Sequence, residues 1–259
     1  MDKYLMSEYN WKEIEEYLNS KQAVIIPVGS IEQHGEHLPL GTDTMVAEAV
    51  AQGVARETGV LVGPTVSCGW SPHHMILPGT VTIRPEVLIE YLYDIIESLS
   101  QHGFQQFLLI NGHRIVNISW MQIVAERAKR KLDLTVILAD PAMLSKEFSR
   151  DNDLEMLGHG DEIESSHMLY IHNDLVWLEK ARDYIHPRKD YQQVDPRATN
   201  DVLCYVPSSI KEATPLVELS GGVSGTPSKS NKETGEKYHK WIVNKLSNIV
   251  RELISAETH

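Results

Sequence analysis

Only two cysteines, Cys68 and Cys204, occur in the 259-residue chain, far apart and with no CxxC pair. That argues against a disulfide scaffold and a four-cysteine zinc site, and it points to a reducing, cytoplasmic compartment. Basic residues are scarce too: 24 Lys and Arg against 36 Asp and Glu give a formal charge of −12. No Lys/Arg block interrupts that balance, so neither a nucleic-acid nor a membrane partner is expected. Long apolar runs are missing as well. No segment approaches the roughly 18 residues of a membrane span. The acidic stretch Met1–Tyr9 has no apolar core of a signal peptide. Histidine, by contrast, is plentiful at 12.

Hydrophobic residues make up 42% of the chain, enough for a buried core. With no repeat, low-complexity tract or linker, the chain reads as one domain over 1–259. Asn10 and Glu13 form a capping-box pattern before a short helix with Trp11, Ile14, Tyr17 and Leu18 on one face. Ala23–Val28 (AVIIPV) is a near-continuous apolar run, the pattern of a strand buried on both faces of a parallel sheet. Further strands are expected at Val60–Val66, Gln106–Asn111 and Leu134–Ala139. Helices are expected at Thr44–Thr58, Pro85–Leu99, Ile118–Leu132, Ile163–Ile171 and Lys229–Leu253, with Lys180–Ala213 irregular. This alternation predicts an α/β layered fold with a mostly parallel sheet and right-handed crossovers.

In such sheets, sites form at the carboxyl ends of the strands. The loop after the first strand carries Glu32, His34, His37 and, at the start of the next helix, Asp43. In an extended segment Glu32 and His34 share a face and can converge on one ion. His113 and Arg114 follow the third strand directly. His159 lies between two glycines, and Glu164 and His167 follow at helical spacing. The loop from Cys68 to Thr80 offers Trp70 and the adjacent His73 and His74 as pocket walls, with His74 taken as the substrate contact. His102, His172, His186, His239 and His259 show no partner spacing and read as ordinary histidines. Cys68 reads as a small packed residue rather than a nucleophile. Glu32, His34, Asp43, His113 and a later carboxylate form a mixed N/O set that suits Zn2+ or Mn2+. Such a set, sharing one Asp, suits two ions about 3.5–4 Å apart, with His159 as general acid.

The stretch VGSIEQHGEHLPLGTD resembles the first signature of the creatininase (creatinine amidohydrolase) family. HHMILPGT, INGH, HGDEIESS and GGVSGTPSKSNKETGEK resemble its later signatures, in order along nearly the whole chain. The resemblance implies a three-layer αβα sandwich, a binuclear metal centre and cytoplasmic homo-oligomers, commonly hexamers. It implies Glu32, His34, Asp43 and His113 as metal ligands, Asp43 as the bridge and His159 as the catalytic histidine. Creatininases carry an acidic ligand two residues after the INGH histidine. Here that position is Ile115, and Glu164, in Glu-Ser-Ser, is expected to supply the carboxylate. Members that open creatinine also carry pocket tryptophans just before the catalytic histidine, whereas no Trp lies between Asp140 and Gly158. Arg114 is a candidate contact for a carboxylate, phosphate or polyol oxygen. The leading expectation is a metal-dependent hydrolase of a small cyclic amide. The alternatives are keto-inositol ring opening on the same centre, or a non-catalytic metal- or ligand-binding protein.

Overall fold

The computed structural model describes residues 3–144, 146–154, 158–185 and 210–255. The strands are β1 (Ala23–Val28), β2 (Leu61–Val62), β3 (Gln106–Asn111) and β4 (Thr135–Ala139). They form one sheet in the order β2-β1-β3-β4, and every pair is parallel. The helices in chain order are α1 (Trp11–Leu18), α2 (Thr42–Thr58), α3 (Pro85–Gln101), α4 (Ile118–Leu132), α5 (Pro141–Leu144) and α6 (Lys146–Asp151). After them come α7 (Glu162–Ile171), α8 (Ile210–Ser220) and α9 (Lys232–Ser255). No described helix is long and apolar enough to cross a membrane.

Alternation along β1 and β3 sorts the core into two layers. Val24, Ile26, Val28, Phe107 and Leu109 pack with Leu88, Leu92 and Ile96 of α3 and Trp120, Met121 and Val124 of α4. Ala23, Ile25, Leu108 and Ile110 face the other way, onto Val50, Ala51 and Val54 of α2 and Ile242, Leu246 and Val250 of α9. Both faces are covered, which is why β1 and β3 read as continuous apolar runs. The three-layer αβα expectation therefore holds.

The boundaries differ where backbone chemistry intervenes. β2 stops at Val62 because Gly63 and Pro64 follow, and Pro64 has no N–H for the ladder. Val66 then bridges back to Val28 on its own. The last helix begins at Lys232, because Pro227–Lys229 forms a separate 3-10 turn and Asn231 Oδ1 accepts the Thr234 N–H at 2.8 Å. α8 lies at the end of the stretch expected to be irregular, where Pro215 inside the helix hides its pattern. His186, His259 and Cys204 lie outside the described residues. His239 is not without a partner: its Nδ1 lies 2.9 Å from Nε2 of His167, tying α9 to α7. Cys68 is a free, half-buried thiol.

α7 and α9 pack closely because of Gly235, where an added Cβ would lie 1.8 Å from the Ser166 carbonyl oxygen. In an exposed helix Gly→Ala stabilises by about 1 kcal/mol. Here the obstacle is backbone, so Gly235→Ala is expected to destabilise by about 1–3 kcal/mol. Chemical denaturation of both proteins checks this, and an unchanged or raised midpoint refutes the packing argument.

Candidate active site

The site is built at the carboxyl ends of the strands. β1 delivers a loop that carries Glu32 and His34, held in place by a bridge between Ile31 and Val81 and by the Glu32 N–H donating to the Leu40 carbonyl at 2.9 Å. Asp43 sits in the first turn of α2, and His113 follows β3 after Gly112. A Cβ at Gly112 would fall 1.9 Å from the Asp43 carbonyl oxygen, so only glycine lets the two loops approach this closely. Glu164 stands in the first turn of α7, whose N-cap is Asp161. His159 is pinned just before it by reciprocal backbone hydrogen bonds with Ser224, each 2.8 Å.

These side chains converge. His34 Nε2 lies 3.2 Å from Asp43 Oδ1 and 3.8 Å from Glu164 Oε2. His113 Nδ1 lies 3.1 Å from Asp43 Oδ2, and its Nε2 lies 3.3 Å from Glu32 Oε2. His159 Nδ1 and His74 Nε2 both approach Glu32 Oε1, at 3.6 and 3.5 Å. The imidazoles also stack: ring centroids are 4.3 Å apart for His34 and His159, and 4.1 Å for His159 and His74. His73 is the more exposed of its pair and lies parallel to His113 at 6.2 Å.

Glu32 and Asp43 are only 1% and 2% exposed, so solvent does not compensate their charge. Glu32 Oε2, Asp43 Oδ2 and His34 Nε2 are buried without a hydrogen-bond partner, and all three aim into the cluster. Burial would lower the His34 pKa, but Asp43, Glu164 and Glu32 outweigh it and lift it to about 9. His113 is driven up against the same burial by Glu32 and Asp43. Both upward shifts reflect the buried carboxylates gathered around these two rings. His159 goes the other way, down to about 3, through burial and the charge of His34. Glu32, Asp43 and His113 form one group of potential ligand atoms, and His34, Asp43 and Glu164 form another, each within 4.8 Å. A third group joins Glu32, His34 and His159. Buried, unpartnered N and O donors in overlapping triads fit divalent cations.

Two expected contacts are corrected. Arg114 was expected to face substrate. Its guanidinium is instead held inside by three partners: Nη1 and Nη2 on Asp161, Nη1 also on the Gly158 carbonyl, and Nε on Glu164 Oε1 at 2.8 Å. Trp70 was expected to line the pocket, but its ring packs against the core between the sheet and α3/α4. Its backbone carbonyl lies 3.2 Å from His113 Nε2. His74 does face the cluster. Three residues escaped the sequence reading: Gln33, which anchors His74; Asp161, which pairs with Arg114; and Asn117. Asn117 is fully buried and binds the Gly29 carbonyl, Asn111 Oδ1, the Trp120 indole N–H and the Trp70 N–H, so it joins three loops of the site. Nothing in the spacing marks these residues, because the partners that tie them to the site (His74 and Gly222, Arg114, Gly29 and Trp70) are distant in sequence.

The chain belongs to the creatininase family: the family model described as creatinine amidohydrolase matches residues 7–250. Creatinine amidohydrolase of Pseudomonas putida is 30% identical over 216 residues, covering 75% of this chain and 83% of that protein. The 3-dehydro-scyllo-inosose hydrolase of Thermotoga maritima is 33% identical over 142 residues, and the match covers 46% of each protein. A crystal structure of creatinine amidohydrolase aligns with a TM-score of 0.80 at 26% identity, covering 98% of this chain and 99% of that one. Zn–Zn and Mn forms of creatininase align at 0.78 and 0.76, with 26% and 25% identity and the same coverage of 98% and 99%.

Asn117→Ala removes one side chain but leaves several buried backbone and indole groups unpaired. Each such group costs about 1–3 kcal/mol. A loss of at least that size is expected in denaturation, with helix content by circular dichroism retained. A variant as stable as the parent refutes the role.

Proposed function

We propose that this protein hydrolyses a small cyclic substrate at a carbonyl group, using two divalent cations held by Glu32, His34, Asp43, His113 and Glu164. The observation that carries the reading is that two potential ligand triads share Asp43. Glu32 and His113 complete one, and His34 and Glu164 complete the other. When bound, such cations polarise a carbonyl and bring the pKa of water down toward neutrality. The chain's own residues have separate tasks. His159 Nε2 faces the Gln33 carbonyl, which leaves Nδ1 open toward Glu32 and the site. As water adds to the carbonyl carbon, Nδ1 accepts its proton and returns it to the departing atom. For a cyclic amide a C–O bond forms, the C–N bond breaks and the nitrogen leaves with that proton. Glu164 supplies the carboxylate that Ile115 cannot, and Arg114 holds its other oxygen.

A second reading on the same residues is opening of a keto-inositol ring, where a C–C bond breaks and the proton goes to carbon. It is supported by the wall of imidazoles formed by His73, His74 and His159, which offers hydrogen bonds to hydroxyls. The homo-oligomer implied by the family resemblance is part of either reading, and light scattering checks it.

Metal analysis on reconstituted protein should find two ions per chain, one in Glu164→Gln and neither in Asp43→Asn. A Glu164→Gln variant that keeps two tight ions sinks that assignment. Creatinine and 3-dehydro-scyllo-inosose, offered to Zn2+- and Mn2+-loaded protein and followed by NMR, should give chelator-sensitive turnover of one. His159→Ala should keep both ions and lose about 10²–10⁴-fold in turnover. Full turnover in that variant removes His159 from the chemistry.

A further inference from the structure

We infer that Gln33 presets the two histidines that meet the substrate, so that His74 presents a hydrogen-bond donor beside an acceptor on His159. The tautomers follow from hydrogen bonds alone; their catalytic consequence rests on the hydrolase reading above.

Gln33 lies between Glu32 and His34 and is only 4% exposed. Its amide has one possible orientation. Oε1 accepts the Gly35 N–H at 3.0 Å, and Nε2 donates to the Gly222 carbonyl at 2.9 Å. An amide N–H only donates and a carbonyl only accepts, so neither partner tolerates a flip. The second hydrogen on Gln33 Nε2 therefore goes to His74 Nδ1, 2.8 Å away. That nitrogen must carry a lone pair, because a proton there would set N–H against N–H. The His74 proton then sits on Nε2, which points at Glu32 Oε1.

The backbone of the same residue does the reverse for His159. Nε2 of His159 lies against the Gln33 carbonyl, which only accepts, so that nitrogen carries the hydrogen. Nδ1 is left open, pointing at the same Glu32 Oε1. The two rings stack with centroids 4.1 Å apart and planes at 23°. Gly222 makes the seat: its φ is +86°, and a Cβ there would fall 2.0 Å from Gln33 Oε1. The glycine pair of the C-terminal motif thus acts on the site through Gln33.

A donor and an acceptor on two rings stacked 4.1 Å apart suit a substrate that carries both an acceptor and a donor near the reacting carbonyl. The O=C–N–H edge of a lactam has that pattern, and so does the O=C–C–O–H edge of an α-hydroxyketone. A simple ester or a lactam alkylated on nitrogen lacks the donor, and we expect it to be a poor substrate.

The test is long-range ¹H–¹⁵N correlation of histidine side chains in zinc-loaded protein, which separates protonated from bare ring nitrogens. His74 should show a bare Nδ1 and a protonated Nε2. Gln33→Glu puts an acceptor where the donor was, so His74 should reverse while zinc content stays the same. On the substrate identified above, kcat/KM should then fall about a hundredfold or more. Should Gln33→Glu fail to fold, Gln33→Met removes the donor without adding charge, and protonated Nδ1 should rise. The inference is overturned by a protonated Nδ1 on His74 in the parent, by a folded Gln33 variant with unchanged tautomer, or by a reversed tautomer with parental kcat/KM. A zinc-loaded parent that turns over neither compound sinks the hydrolase reading, and the tautomer measurement still decides the role of Gln33.

Discussion

Carboxylates taken out of water at one point set the terms for everything around them. Glu32, Asp43, Glu164 and Asp161 are all nearly buried, and Arg114 is the one permanent cation packed among them. Arg114 offsets part of that charge, burial pushes Glu164 up to about 7, and the neighbouring carboxylates lift His34 and His113. Removing a carboxylate from water without compensation costs several kcal/mol per ion. The cluster is therefore an arrangement that folding alone does not favour. The αβα frame, with two apolar layers on one parallel sheet, places the strand ends that carry it.

Backbone carbonyls then decide what each imidazole offers. His34 Nδ1 faces the Glu32 carbonyl at 3.1 Å and His113 Nε2 faces the Trp70 carbonyl at 3.2 Å. In both rings the nitrogen left over turns toward Asp43. Fixing one nitrogen on a main-chain acceptor orients the ring and directs its lone pair. The donor set is therefore oriented by main-chain groups. Asn117 and Asp140 extend this tethering. Asp140 accepts the Ile115 N–H at 2.7 Å and the Asn111 amide at 3.0 Å, which holds the loop after β3 against the start of α5.

Much of this was legible in the chain. The runs at Ala23–Val28 and Gln106–Asn111 told of buried parallel strands, because burial on both faces removes the usual alternation. Glu32, His34, Asp43 and His113 are legible as ligand-type residues beyond strand ends, and they meet because β1 and β3 are neighbours in the sheet. Trp70 and Arg114 were misjudged for one reason. Adjacency to the site along the chain says nothing about direction, and each found a better partner inside: Trp70 the core, Arg114 two buried carboxylates. Gln33 was invisible for the converse reason. In an extended segment it should point away from its neighbours Glu32 and His34, but its amide meets His74 and Gly222, 41 and 189 residues further on.

The loop after His113 shows how the ligand set could shift position without losing its chemistry. Ile115 occupies the place where the family resemblance leads one to expect an acid, and it has φ of +62°, a conformation that β-branched residues rarely adopt. The turn exposes Ile115 to 42%. The same turn brings Arg114 inward, where its fork takes Asp161 and its Nε takes Glu164. Glu164 keeps Oε2 toward His34, with the Gly160 N–H as its only hydrogen-bond donor among the described residues. The carboxylate that meets His34 and Asp43 here arrives from α7, while the residue two after His113 is an exposed isoleucine.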